Sequence, residues 1–101
     1  MTHAIGIDIG GTKIAGALVD ELGAIVREDR RPTPTGADQP QGIVDLVVSM
    51  ITELSDGADV VAAGVAAAGF IDASQSTVYY APNIAWRDEP LREKLEARLS
   101  I

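Results

Sequence analysis

The chain has 101 residues, enough for one modest hydrophobic core, and its 47% hydrophobic and 23% charged content argues for a folded domain over disorder. A net charge of −7 disfavours nucleic acid and anionic membranes as partners. Cysteine is absent, which removes disulfides and thiolate metal sites. No apolar run reaches membrane-spanning length and Met1 is followed by no charged n-region and cleavage site, so the expected setting is cytoplasmic.

Ala4 to Ile9 reads as a near-continuous apolar strand, and Lys13 to Val19 as its hairpin partner across a tight Asp-x-Gly-Gly-Thr-Lys turn. Gly10 and Gly11 are expected to let this turn reach φ > 0 and to let a ligand approach bare backbone. Consecutive amide N–H groups in such a turn can form a concave nest for an anion. Thr12 adds a hydroxyl donor, and Lys13 adds a cation with the reach to touch a phosphate oxygen. Asp8 is the odd member. A carboxylate about 4 Å from a phosphate charge is repelled by roughly 4 kcal/mol at an effective dielectric near 20. A divalent cation between them reverses that sign, and Mg²⁺ commonly binds through one or two carboxylates plus phosphate oxygens. The turn therefore reads as a seat for a magnesium-bound phosphoryl group, with Asp8 on the metal side. By spacing alone, an ordinary hairpin closed by Gly10-Gly11 fits equally well. The Walker pattern is excluded, because Thr precedes Lys and a β-type run follows. The dinucleotide fingerprint is excluded because its glycine spacing and its strand-turn-helix order are absent.

Asp20 to Gly23 makes a second turn, and Ala24 to Arg30 suits an edge strand with one wet face. Arg31 to Pro40 reads as a loop, in which Thr33 and Thr35 are expected to be solvated more readily than to line a cleft. Asp38 with Gln41 resembles a capping box, with Pro40 tolerated in the first turn. Ile43, Leu46, Val47, Met50, Ile51 and Leu54 follow helical spacing, Met50 serving as core filler, and Gly57 stops the run. Asp59 to Ala66 is expected to be a short buried strand. Ala66 to Gly69 follows it as small residues, which suits either a ligand turn beyond a strand end or close helix–sheet packing.

Phe70 to Tyr80 reads as a short hairpin around Asp72 to Ser76, with Asp72 a turn-former and Tyr79 and Tyr80 packing residues. Asn83, after Pro82, can both donate and accept a hydrogen bond, as recognition of a sugar hydroxyl requires, although an Asn that holds a turn is the commoner case. Trp86 is expected to anchor this loop. Asp88 is expected to cap a last helix with Pro90 in its first turn and Leu91, Leu95 and Leu99 as its stripe. His3 stands alone and suggests neither catalysis nor metal binding.

Three stretches carry a family resemblance. Ile5 to Asp20 resembles the first phosphate motif of the actin-like sugar kinases, in particular the ROK family of bacterial sugar kinases and repressors. Gly64-Val65-Ala66-Ala67-Ala68-Gly69-Phe70-Ile71-Asp72 is similar to the family's Gly-x-Gly-x-Pro-Gly-x-Val-Asp segment, departing from it at Ala66 and Ala68. Ala81-Pro82-Asn83-Ile84-Ala85-Trp86-Arg87-Asp88-Glu89-Pro90-Leu91 is similar to its Pro-Asn-x-x-Trp segment. The three lie in family order across nearly the whole chain.

The resemblance implies an α/β fold of the ribonuclease H-like (actin-like ATPase) class. Residues 1–101 would be its N-terminal lobe, with three antiparallel strands, then a helix and a further strand, incomplete at the C-terminal end. It implies a glucokinase that transfers the γ-phosphoryl group of ATP to the 6-hydroxyl of glucose, with Mg²⁺ as cofactor. In that reading Asp8 orients Mg²⁺, Gly10, Gly11, Thr12 and Lys13 hold phosphate, and Gly69 and Asn83 contact sugar. The general-base Asp, a Cys/His zinc site, the second phosphate loop and the adenosine pocket would all lie beyond Ile101. This chain alone is accordingly expected to be inactive, and an unpaired sheet edge to cause self-association or poor stability; the whole protein is expected to be a homo-oligomer. Another hexose, polyphosphate as donor, or a short non-catalytic binding or dimerisation module are the alternatives. A repressor's helix-turn-helix has no room ahead of a strand that begins by residue 4.

Overall fold

The computed structural model describes residues 1–67, 70–71, 78–80, 87–89 and 91–99. Three strands open the chain: β1 (Thr2–Ile9), β2 (Lys13–Asp20) and β3 (Ile25–Pro32). Helix α1 (Gln39–Leu54) and strand β4 (Asp59–Ala67) follow. Together the four strands form one sheet in the order β3-β2-β1-β4, antiparallel except for the parallel β1–β4 pair. Because β3 and β4 occupy opposite ends of that order, the connection through α1 crosses the whole sheet and covers one of its faces.

Alternation along β1 and β2 decides which face that is. Ile5, Ile7, Ile9, Ile14 and Leu18 point to one side and are buried. Helix α1 meets them with Ile43, Val44, Val47, Met50, Ile51 and Leu54, the 3- and 4-residue spacing of one helical stripe. Full burial of each such side chain is worth about 1.5–3 kcal/mol. Gly16 sits where β2 passes under the helix, and a Cβ there would lie 2.8 Å from Ile7 Cδ1 and 3.0 Å from Leu54 Cδ1. The opposite face carries Gly6, Ala15, Ala17, Gly64 and Ala66, small residues flanked by Glu28 and Arg30 of β3.

Local chemistry closes the connections. Between β2 and β3, the Asp20 carboxylate accepts from the amides of Leu22 and Ala24, and Gly23 has a φ of +82°. Helix α1 stops as expected: the Ser55 hydroxyl donates to the Ile51 carbonyl at 2.6 Å and Gly57 takes a φ of +73°. Arg27 of β3 reaches over and donates to the carbonyls of Leu54 and Asp56 at 3.0 and 2.6 Å, so acceptors left open at the helix end are satisfied.

Three local expectations need correction. Asp38 is the residue before α1, but its side chain makes no capping bond, and Gln41 donates forward to Asp45. The capping box fails because that forward partner one helical turn on competes for Gln41. Strand β4 is an edge strand of the sheet with residues 61, 62, 64 and 66 exposed, not a buried one, since α1 covers one face and nothing among the described residues covers the other. Asp88 lies inside a strand, so it does not cap the last helix.

That strand belongs to a second, three-stranded antiparallel sheet in the order β5-β6-β7, made of β5 (Phe70–Ile71), β6 (Val78–Tyr80) and β7 (Arg87–Glu89). The expected hairpin is present as the β5–β6 pair; residues 72–77, where the turn was expected, and Trp86 lie outside the described residues. Helix α2 (Leu91–Arg98) packs Leu95 into the core, and Arg98 bonds Asp45 of α1.

Candidate phosphate-binding site

The site is built on the reversal between β1 and β2. The register pairs Ile9 with Ile14, so Gly10, Gly11 and Thr12 make the bend before Lys13 starts β2. Both isoleucines are fully buried and hold the bend against the core. The amide of Gly10 donates to the carbonyl of Lys13 at 3.0 Å. Beyond it, the amide N–H groups of Gly11 and Thr12 have no hydrogen-bond partner among the described residues. An anion nest requires amides left without protein acceptors in this way.

The glycines act differently from expectation. Positive φ occurs at Gly23, Gly36 and Gly57, and neither Gly10 nor Gly11 is among them. Gly10 is required instead by close approach: a Cβ there would stand 2.8 Å from the Lys13 carbonyl oxygen. The two strands can close only over a residue without a side chain.

Asp8 and Lys13 alternate with buried isoleucines, which puts both on the sheet face away from α1. Both are exposed. Asp8 sits between Ala15 of β2 and Ala66 of β4, neighbours too small to occlude it. Among the described residues no three His, Cys, Asp or Glu side chains converge on a common point. A lone carboxylate fits an ion that takes most of its ligands from water and phosphate, as Mg²⁺ does, and does not fit a caged metal. A groove of about 540 Å³ runs from Asp8 along the same face over Gly6, Ala17 and Gly64. Its floor is alanine and glycine, and charge reaches it from Asp8, Glu28 and Arg30 at its sides.

Thr33 proves to be part of the site, contrary to the solvated role expected for it. It is 5% exposed. Its hydroxyl donates to the Gly10 carbonyl at 2.7 Å, and its amide donates to the Thr12 carbonyl at 3.0 Å. The readable signal is register: Pro32 lies opposite Lys13, so the next residue falls beside Thr12. Thr35 is exposed, as expected.

Strands β1 and β4 run parallel and end together at Ile9 and Ala67, so the end of β4 lies at the same end of the sheet as the bend. Ligands in α/β sheets collect beyond such strand ends. Gly69 and Asn83 themselves lie outside the described residues.

The sequence pattern of the ROK family matches residues 4–101. The chain belongs to the ROK family. Its likeness to one curated member, a glucokinase of Streptomyces coelicolor, is 50% identity over 101 residues, covering all of this chain and 31% of that protein. In solved structures, this ROK chain is similar to a ROK family glucokinase from Streptomyces griseus in complex with glucose and AMPPNP. There the TM-score is 0.89 at 46% identity, over 98% of this chain and 31% of that one. It is also similar to an inorganic polyphosphate/ATP-glucomannokinase from Arthrobacter, with a TM-score of 0.82 at 33% identity, over 99% of this chain and 42% of that one. The four-stranded sheet with α1 on one face is therefore the N-terminal fold of the ROK kinases, and the chain spans about a third of the length of such relatives.

Proposed function

We propose that this ROK chain is the N-terminal lobe of a glucokinase that moves the γ-phosphoryl group of ATP to the 6-hydroxyl of glucose. The observation that carries the proposal is the bend. Two amides without partners among the described residues, at Gly11 and Thr12, stand between the strand that carries Asp8 and the strand that begins at Lys13, in a chain half identical to a glucokinase. Phosphoryl transfer demands positioning and charge stabilisation more than covalent participation by the protein.

In this reading the amides of Gly11 and Thr12 donate to phosphate oxygens, and the Thr12 hydroxyl adds a third donor. Lys13 supplies a mobile cation for the same oxygens. Asp8 holds the Mg²⁺ side of the nucleotide. When bound, Mg²⁺ screens the phosphate charge from that carboxylate and draws off charge that develops on the transferring group. Gly69 and Asn83 contact the sugar. The general base, the adenosine pocket and the zinc site come from the rest of the protein, which is cytoplasmic and homo-oligomeric in this proposal. Polyphosphate as an alternative donor is favoured by the likeness to the Arthrobacter glucomannokinase, whose fold over this region is shared.

Asp8→Ala in the intact protein tests the assignment. Asp8 is exposed and makes no hydrogen bond among the described residues, so the variant should melt with the wild type. Glucose-dependent ADP release should fall by roughly a hundredfold or more, as for loss of a group that organises transition-state charge. An unchanged rate sinks the assignment.

A further inference from the structure

Thr33 is in an unusual position for a residue in a Pro- and Thr-rich connection. It touches the bend at two places, one on each side of Gly11: the hydroxyl binds the Gly10 carbonyl at 2.7 Å and the amide binds the Thr12 carbonyl at 3.0 Å. The carbonyl of Lys13, where β2 begins, is taken by the Gly10 amide at 3.0 Å. The carbonyls of Gly10, Thr12 and Lys13 are thus occupied by protein donors, while the amides of Gly11 and Thr12 have no protein acceptor among the described residues. An anion site needs this polarity, because a carbonyl oxygen turned towards a phosphate repels it and an amide attracts it.

The clamp is itself braced. Gln39, 9% exposed at the start of α1, donates its side-chain amide to the Pro34 carbonyl at 2.9 Å, and its backbone amide donates to the Gly36 carbonyl at 3.2 Å. Gly42, one turn further on, lets the helix come so near that a Cβ would stand 3.1 Å from Pro34 Cβ. The segment that follows Thr33 is therefore tied to the first turn of α1 at Pro34 and Gly36, which braces the residue next to the clamp.

We infer that Thr33 is the positioning residue of the phosphate bend: its hydroxyl holds the Gly10 carbonyl away from the ligand and keeps the Gly11 and Thr12 amides aimed at it. This rests on the reading of the bend as a phosphate seat. Thr33 acts through the backbone of the bend and does not itself touch the phosphate. Valine at this position keeps the shape and the backbone bond to Thr12 but removes the bond to Gly10. Serine keeps both. Cysteine keeps the size with a much weaker donor.

The test is calorimetric titration of the intact protein with Mg·AMPPNP, alongside steady-state glucose phosphorylation. Thr33→Val should weaken Mg·AMPPNP binding by roughly three- to tenfold, the range expected for one net hydrogen bond. The KM for ATP should rise by a similar factor, with the KM for glucose unmoved. Thr33→Ser should remain within about twofold of wild type, Thr33→Cys should fall between serine and valine, and the exposed Thr35→Val should change nothing. A role limited to stability would lower the melting temperature of Thr33→Val and leave nucleotide affinity alone, and that result overturns the inference. So does wild-type affinity in Thr33→Cys, the variant that decides the matter if valine prevents folding. A wild type that fails to phosphorylate glucose, yet binds Mg·AMPPNP in a way graded by the residue at 33, removes the glucokinase reading and leaves the positioning role standing.

Discussion

At the scale of single residues, three glycines of the β1–β2 hairpin face different constraints. The Cβ of an alanine at position 10 would meet the Lys13 carbonyl, a backbone atom that can retreat only by breaking the bond closing the bend. At position 16 it would meet Ile7 Cδ1, Leu54 Cδ1 and Met50 Cε, the tips of side chains that have other rotamers. At position 6 it would meet nothing within 4 Å. Urea unfolding of the 101-residue chain should therefore rank Gly10→Ala and Gly16→Ala as costly, each by about 1–3 kcal/mol, and Gly6→Ala as neutral within about 0.5 kcal/mol. Gly10→Ala should in addition shift the amide resonances of Gly11 and Thr12, which Gly16→Ala leaves in place. Equal costs at positions 6 and 10 would refute close approach as the reason for Gly10.

At the scale of elements, the contact between α1 and α2 has a pH-dependent part. The hydrogen bond from Arg98, helped by one from Gln41, holds the Asp45 carboxyl below the ordinary carboxylate range. A carboxyl with a lowered folded-state value binds its proton more weakly when folded than when unfolded. Its contribution is complete above the unfolded value and is lost as the pH falls through the folded one, below about pH 4. Hydrogen exchange should find α2 opening more readily below about pH 4 than at pH 7. Asp45→Asn should open α2 equally at both pH values, and an unaltered pH response in that variant would show that another carboxylate is responsible. Leu95, buried under α2, should keep the helix docked in part throughout.

The same scale shows what the sequence makes legible. The β1–β2 hairpin and α1 follow from periodicity, because their apolar residues recur every second and every third or fourth position. Strand β7 does not, since Arg87, Asp88 and Glu89 are all charged and become a strand only by pairing with Val78 and Tyr80 of β6. The place of Asp8 and Lys13 beside the bend was readable from alternation, and the role proposed for them rests on the Asp-x-Gly-Gly-Thr-Lys run. The burial of Thr33 was not readable from its neighbours in sequence, because its bonding partner lies 23 residues away. Composition of the loop pointed to solvent, and register pointed to the bend; register prevailed.

At the scale of the whole molecule, the two edges of the four-stranded sheet are unlike. Strand β3 carries Arg27, Glu28, Asp29, Arg30 and Arg31 in succession, with Arg31 bonded to Asp29 and Glu53. Adding another strand there would bring charges into register, the usual protection of an edge. Strand β4 has no charge from Val60 to Ala67 and stands last in the sheet order. Its pairing with β1 skips at Val61, which is 60% exposed. An uncharged strand of Val, Ala and Gly with one side unpaired among the described residues is a template for a second copy, so the 101-residue chain on its own should self-associate through β4. Lysine at position 61 places a charge on that edge without touching the core or the phosphate bend. Sedimentation velocity at roughly 100 µM should therefore show oligomers for the wild-type chain and mainly monomer for Val61→Lys, with both retaining the same helical signal. If instead both chains sediment as monomers, β4 is not a sticky edge; if both oligomerise alike, the contact lies on another surface.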